Sequence, residues 1–304
     1  MRQVDDFAVA ATTERTANIL FDFVDDELTF PLKRMGLIHM FNGMDISQTR
    51  DYIKISCPTY IERVCAKHLA TWMRVSEMPD RPTPLPTKRD FLKHFLSVKG
   101  DPDPKQQLQL ATKMEFKYRS AIGEIIYAMS TCRPDLSYAA IRASQHSICP
   151  HEHHYNGVKH MMKYMYLTRD DGLYFWRETP NTHLPTQPLP PINSNLHDLL
   201  LDGRPEFEPL VAHGHVDSDW AACELTRRSM TGGGVRLAGG TVGFKTKLQP
   251  TMADSSTAAE FMGASDFGKI LLFIRSVMWD LGVPQCAATV LYEDNDACTS
   301  MAMA

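Results

Sequence analysis

The 304-residue chain reads as an α+β protein in two parts joined by a proline-rich linker. Three observations predict this. Between Tyr118 and Leu167, apolar residues recur every three or four positions, which is helical spacing. From Val211 onward the pattern runs strand, strand, strand, helix, strand and the beginning of a helix. Between them, Pro180, Pro185, Pro188, Pro190, Pro191, Pro205 and Pro209 mark a linker. The expected divisions are therefore 1–177, 178–210 and 211–304.

Composition is that of a globular protein, 43% hydrophobic and 22% charged, with a formal net charge of −4. That balance is mildly against a free-standing nucleic-acid binder, which usually carries a basic excess, but leaves room for local basic faces. No apolar run reaches the ~18 residues of a membrane span, so no membrane is expected. MRQVDDFAVAATTER has no basic stretch followed by an apolar one, so no signal peptide is expected. The seven cysteines form no CxxC pair, which suits reduced thiols in an intracellular setting, cytoplasmic or nuclear.

Taken in order, Asp5 and Asp6 precede the apolar run Phe7-Ala8-Val9-Ala10, like a turn and the second arm of a hairpin. A helix is expected next, capped by Thr12 or Thr13, with Ala17, Ile19, Leu20 and Val24 among its apolar positions. FNGMDISQTRDYIKIS reads as two strands around a turn near Gln48-Thr49-Arg50-Asp51, and PTYIERVCAKHLATWM as a helix begun by Pro58. RPTPLPTK and GDPDPKQQ read as loops. YRSAIGEIIYAMST, PDLSYAAIRASQHS and HHYNGVKHMMKYMYLT are helices separated by Pro134 and Pro150. DGLYFWRE is a turn and a strand, and no internal repeats are present. HEHHYNGVKH is not a HExxH zinc motif, because Tyr155 stands where the second histidine belongs. His153, His154 and His160 are expected to cap or to face solvent, and Met161, Met162 and Met165 to fill core.

Three carboxylates in the last part stand in three local settings. Asp217 lies in the alternating HGHVDSDW and shares a strand face with His213, His215 and Asp219. Glu260 opens the stripe Glu260, Ala264, Phe267, Leu271, Ile274, Met278, Leu281, whose spacing keeps one helix face. Asp294 ends the strand-like TVLYED. Strand, helix start and strand end can converge, and converging carboxylates are how proteins hold a pair of Mg²⁺ ions for phosphodiester cleavage. Each has an ordinary alternative. Asp217 could be an exposed strand-end acid, Glu260 the second half of a Thr257-x-x-Glu260 capping box, and Asp294 a helix cap. Glu293 is expected on the opposite strand face from Asp294. His-x-His-x-Asp-x-Asp also suggests a transition-metal site, which nothing nearby completes.

Tyr118-Arg119-Ser120, Gly123, Tyr127, Arg133-Pro134-Asp135 and Tyr138-Ala139 form a YRS-G-Y-RPD-YA series. With FNGMDISQT, VDSDW, RRSMTGG, LAGGTVGFKTKLQP, SSTAAEFMGAS and YEDN in that order, the chain resembles a copia-type retrotransposon polyprotein. The match is to the end of its reverse transcriptase followed by its ribonuclease H domain. The resemblance implies a remnant of reverse transcriptase palm and helical thumb/connection, then a truncated ribonuclease H-like α/β domain.

It also implies roles. The family's Tyr-Val-Asp-Asp turn, whose carboxylates bind catalytic Mg²⁺, has two counterparts, Gln3-Val4-Asp5-Asp6 and Phe23-Val24-Asp25-Asp26. The strand-like FAVAA that follows favours Asp5 and Asp6, leaving Asp25 and Asp26 as a solvated helix face. The family places its other polymerase parts earlier, so polymerase activity from this chain is not expected. Asp217, Glu260 and Asp294 correspond to three nuclease metal ligands for Mg²⁺, with Ala258 where the family often has another acid. A fourth ligand would lie past Ala304, so nuclease activity is expected to be absent or very low. Lys159, Lys163 and Arg169, with Tyr164 and Tyr166, either follow a nucleic-acid backbone as a thumb helix does or belong to an ordinary amphipathic helix. The implied partner is an RNA–DNA hybrid or other nucleic acid, and the rival reading is a non-catalytic nucleic-acid-binding remnant.

Overall fold

The computed structural model describes residues 2–3, 6–11, 13–27, 32–69, 83–186, 210–223 and 226–303. Strands Arg2–Gln3 (β1) and Asp6–Phe7 (β2) pair antiparallel, with Gln3 opposite Asp6. Asp5 and the side chain of Asp6 lie outside the described residues, so the polymerase-motif expectation has no side-chain geometry to meet. Helix Glu14–Glu27 (α1) begins where the Thr13 hydroxyl accepts the Thr16 amide, so Thr13 is the cap. Asp25 is not merely a solvated acid. It accepts the Leu32 amide and pairs with Arg34 at 2.8 Å, which holds its carboxyl below the usual range.

Met40–Phe41 (β3), Met44–Gln48 (β4), Tyr52–Ser56 (β5) and Gly172–Trp176 (β6) make an antiparallel sheet in that order. Asn42 and Gly43 take φ of 50° and 73°, as a two-residue hairpin turn demands. A Cβ on Gly43 would stand 2.7 Å from the Tyr127 hydroxyl, which donates to the Asn42 carbonyl. Two motif positions far apart in sequence therefore meet.

Against this sheet packs a helical body: Pro58–Leu69 (α2), Arg89–Ser97 (α3), Pro104–Met114 (α4), Tyr118–Thr131 (α5), Ser137–Ser144 (α6) and Glu152–Leu167 (α7). GDPDPKQQ is a loop only as far as Asp103. Asp103 caps α4 by accepting the Lys105 amide, and Pro104 takes the first helical position, where its missing N–H costs nothing. Helix α7 is central, burying Tyr155, Val158, Met161, Met162, Tyr164 and Met165. Its start is a capping box of His151 and His154, and His154 also bonds the Phe95 carbonyl at 3.0 Å.

The second sheet comprises His213–Asp219 (β7), Met230–Leu237 (β8), Gly240–Leu248 (β9) and Val290–Tyr292 (β10), in the order β10-β7-β8-β9. Only the β10–β7 pair among these is parallel, so β10 must return by a crossover, and helix Ser256–Asp280 (α8) supplies it. Helix Asp296–Met303 (α9) follows β10. The sheets touch where the Trp176 amide donates to the Ala238 carbonyl at 2.8 Å. The first part of the expected linker is pinned, since the Asn181 amide reaches the Arg50 carbonyl and Arg50 reaches that of Leu184; residues 187–209 lie outside the described ones. No helix among the described residues is long and apolar enough to cross a membrane.

Candidate metal centre

Strand β7 alternates, burying Gly214, Val216 and Ser218 and leaving Asp217 exposed on the other face. Helix α8 is brought close to it by absence of bulk. A Cβ on Gly263 would stand 2.5 Å from Ser218 Oγ and 3.1 Å from Thr231 Cγ2, so a larger residue would have to push these side chains aside. Gln249 then fastens the helix start to the sheet, donating to Thr231 Oγ1 and to the Ala259 carbonyl, both at 2.8 Å. The cap of α8 is Ser255, whose hydroxyl accepts the Ala258 amide. Glu260 lies beyond that cap, and no Thr257–Glu260 box forms it. Its stripe is buried at Phe267, Leu271, Ile274 and Met278, whereas Leu281 is exposed because the helix ends at Asp280.

Asp217, Glu260 and Asp294 each offer a carboxylate oxygen, and these oxygens all lie within 4.8 Å of one another. Asp217 and Asp294 are exposed; Glu260 is only 6% exposed. Glu260 Oε2 is buried without a hydrogen-bond partner. Burial pushes the Glu260 carboxyl up to about 7, helped by the negative charges of Glu293, Asp217 and Asp294 and opposed by the Ser218 hydroxyl. Asp294 is not the cap of α9. That position belongs to Asn295, whose Oδ1 accepts the Cys298 amide at 2.9 Å.

Glu293, expected on the opposite face from Asp294, follows the end of β10 at Tyr292 and is not among the three carboxylates whose oxygens converge. Its carboxyl is raised by burial and by the charges of Asp294 and Asp217, and its own charge acts on Glu260.

An all-carboxylate set suits a hard, oxygen-seeking divalent cation such as Mg²⁺ better than a thiophilic one. The partnerless Glu260 oxygen fits such an ion, since a buried carboxylate oxygen is costly unless paired or metal-bound.

Other sequence candidates stand apart from these three. His215 stacks on Tyr292 with centroids 4.8 Å apart, and His213 lies edge-on to both. Arg169 pairs with Glu62 at 3.1 Å and lies over Tyr166. Lys159 and Lys163 are half-buried, with Lys159 over the Phe116 ring, and the Tyr164 ring is fully buried with its hydroxyl on Asp135. Tyr164 therefore offers no stacking platform. His153 and His160 each bond a backbone carbonyl, of Phe91 and Thr83.

The chain is 27% identical over 271 residues to the retrovirus-related Pol polyprotein from transposon TNT 1-94 of Nicotiana tabacum, covering 88% of this chain and 17% of that one. It is 28% identical over 258 residues to an uncharacterized mitochondrial protein of Arabidopsis thaliana, covering 85% and 86%. A third relative is secreted RxLR effector protein 161 of Plasmopara viticola, 32% identical over 149 residues, covering 49% and 84%. The chain thus spans about a sixth of the tobacco polyprotein's length. No protein-family model matches the chain, and no solved structure is a significant match.

Proposed function

We propose that this chain, which belongs with the retrovirus-related Pol polyproteins of plant transposons, is a copia-type segment whose second sheet carries a ribonuclease H-type cation site. One observation carries the reading: the buried, partnerless oxygen of Glu260 beside the carboxylates of Asp217 and Asp294. When bound there, Mg²⁺ would supply Lewis-acid activation of a water and charge neutralisation at a phosphodiester.

The side chains divide the work. Glu260 would hold the ion from the buried side, while Asp217 and Asp294 would hold it from the side open to a substrate. With its carboxyl raised to about 7, Glu260 is partly protonated near neutral pH, and cation binding would release that proton, so affinity rises with pH. By resemblance, the substrate is the RNA strand of an RNA–DNA hybrid. The first half serves in this reading as the end of the reverse transcriptase palm and its thumb/connection, with Asp5 and Asp6 a remnant of the polymerase motif. Three carboxylates give fewer ligands than a pair of ions needs, so cleavage by this chain alone is expected to be slow or absent.

The test is Mg²⁺-dependent cleavage of the RNA strand of a hybrid, with Asp217→Asn as control. Slow cleavage lost in Asp217→Asn supports the site. Robust cleavage abolished by that change would show the site to be complete, and cleavage unchanged by it would place any nuclease elsewhere.

A further inference from the structure

We propose that the cleft between the end of β7 and the segment before α8 is a nucleotide subsite, where Trp220 stacks on a base and Arg227 meets a phosphate of the strand held at the cation site. The inference rests on the reading of Asp217, Glu260 and Asp294 as that site. The cleft has a volume of about 290 Å³ and is lined by Trp220, Ala221, Arg227, Met252, Ala253 and Asp254. Its walls continue the elements that carry the carboxylates. Trp220 follows Asp217 by three residues, so their Cα atoms are at most about 11 Å apart, at ~3.8 Å per residue. Asp254 directly precedes Ser255, the cap of the helix that carries Glu260. A strand lying across the carboxylates can therefore extend into the cleft.

Trp220 is held in place without being packed away. Its indole N–H donates to the Ala253 carbonyl at 3.0 Å, which fixes the ring edge, yet the residue stays 49% exposed. An aromatic face kept open in this way suits any base, since every base has a π-face. Arg227 is fixed at its backbone and open at its side chain. Its amide donates to the Cys223 carbonyl at 2.7 Å and the Cys223 amide to the Arg228 carbonyl at 3.0 Å, so the loop closes on itself. The Arg227 side chain is exposed with no partner among the described residues, whereas Arg228 turns back to Thr226 Oγ1 and the Pro250 carbonyl. Ala221 and Arg227 hold φ of 56° and 54°, left-handed values that are costly in residues other than glycine and gather at ligand sites. Asp254 lines the same cleft without pairing to Arg227, and as an acceptor it suits a sugar hydroxyl or a base amino group. A cation and a carboxylate left apart beside an open ring match the three parts of a nucleotide.

The test is equilibrium binding of a fluorescently labelled RNA–DNA hybrid to the intact chain, read by anisotropy in Ca²⁺ and in chelator across a salt series. Ca²⁺ serves as an oxygen-seeking ion in place of Mg²⁺. Trp220→Ala is expected to weaken binding about five-fold or more. Arg227→Ala should weaken it too, and make the slope of log affinity against log salt shallower by about 0.9. Parent-like binding by both variants overturns the subsite. The cation reading then still stands if Ca²⁺ tightens binding by the parent but not by Asp217→Asn. Binding that needs Trp220 and Arg227, but responds to Ca²⁺ alike in the parent and Asp217→Asn, keeps these two as nucleic-acid contacts and overturns the cation reading. No hybrid binding by the parent overturns the subsite together with the hybrid as substrate. If Trp220→Ala does not fold, Arg227→Ala decides alone, since its side chain has no partner to lose, and an unchanged affinity and salt slope is the contrary result.

Discussion

Arg133 in the first half and Glu260 in the second are both charged groups taken out of water, at 0% and 6% exposure. Arg133 meets Asp135 through two bonds, at 3.0 and 2.7 Å, and gives two more to the carbonyl and hydroxyl of Thr168. Tyr164 completes the group by donating to Asp135 at 2.7 Å. Glu260 has carboxylates for neighbours and an oxygen with no donor. A buried charge that is fully partnered ties elements together, here the segment just after α5 to the end of α7. A buried charge left among its own kind is a destabilised one, and such a group marks a place prepared for something else.

The contrast can be broken first at Arg133. Arg133→Ala leaves the largely buried Asp135 without its partner and should cost about 3–5 kcal/mol in urea unfolding. A loss under 1 kcal/mol would mean that the pair does not lock the fold.

Glu260→Gln should do the reverse. With its folded-state carboxyl raised to about 7 from 4.5, Glu260 favours folding fully below pH 4.5, and that stability is lost as pH rises through 7. In chelator at pH 8, Glu260→Gln is therefore expected to be more stable than the parent by up to about 3 kcal/mol, at 1.36 kcal/mol per pKa unit. Hydrogen exchange in α8 would report it.

The first half should show the opposite pH trend. Burial holds His154 down at about 3, so its neutral form supports folding above pH 6.5 and that support is lost as pH falls toward 3. Protection in α7 should drop by about 1 kcal/mol between pH 6 and 5. An α7 indifferent to acid would contradict the buried neutral histidine. The smallest effect belongs to Arg169→Ala, which breaks a half-exposed pair with Glu62 and should cost under about 1 kcal/mol.

Much of this was legible in the residues. Periodicity located α5, α7 and α8, and the turn near Gln48-Thr49-Arg50-Asp51 falls between β4 and β5, because these features are local. The helices α3 and α4 were missed, since Pro104 reads equally as a loop residue and as a first helical residue until Asp103 is seen to cap. The three carboxylates stood in settings that could converge, but their convergence depends on Gly263 and Gln249, whose roles exist only once α8 lies on β7. Lys159, Lys163 and Arg169 read equally as a nucleic-acid track or an ordinary amphipathic face, and packing of Lys159 on Phe116 and of Arg169 on Glu62 and Tyr166 is information that no helical wheel contains.

Whether Glu260 sits unpartnered because it belongs to a cation, as proposed, is tested most directly by calorimetric titration of Mg²⁺ into the chelator-treated chain and into Glu260→Gln. A saturable heat in the parent that disappears in Glu260→Gln is the predicted result. The same isotherm in both proteins would contradict it.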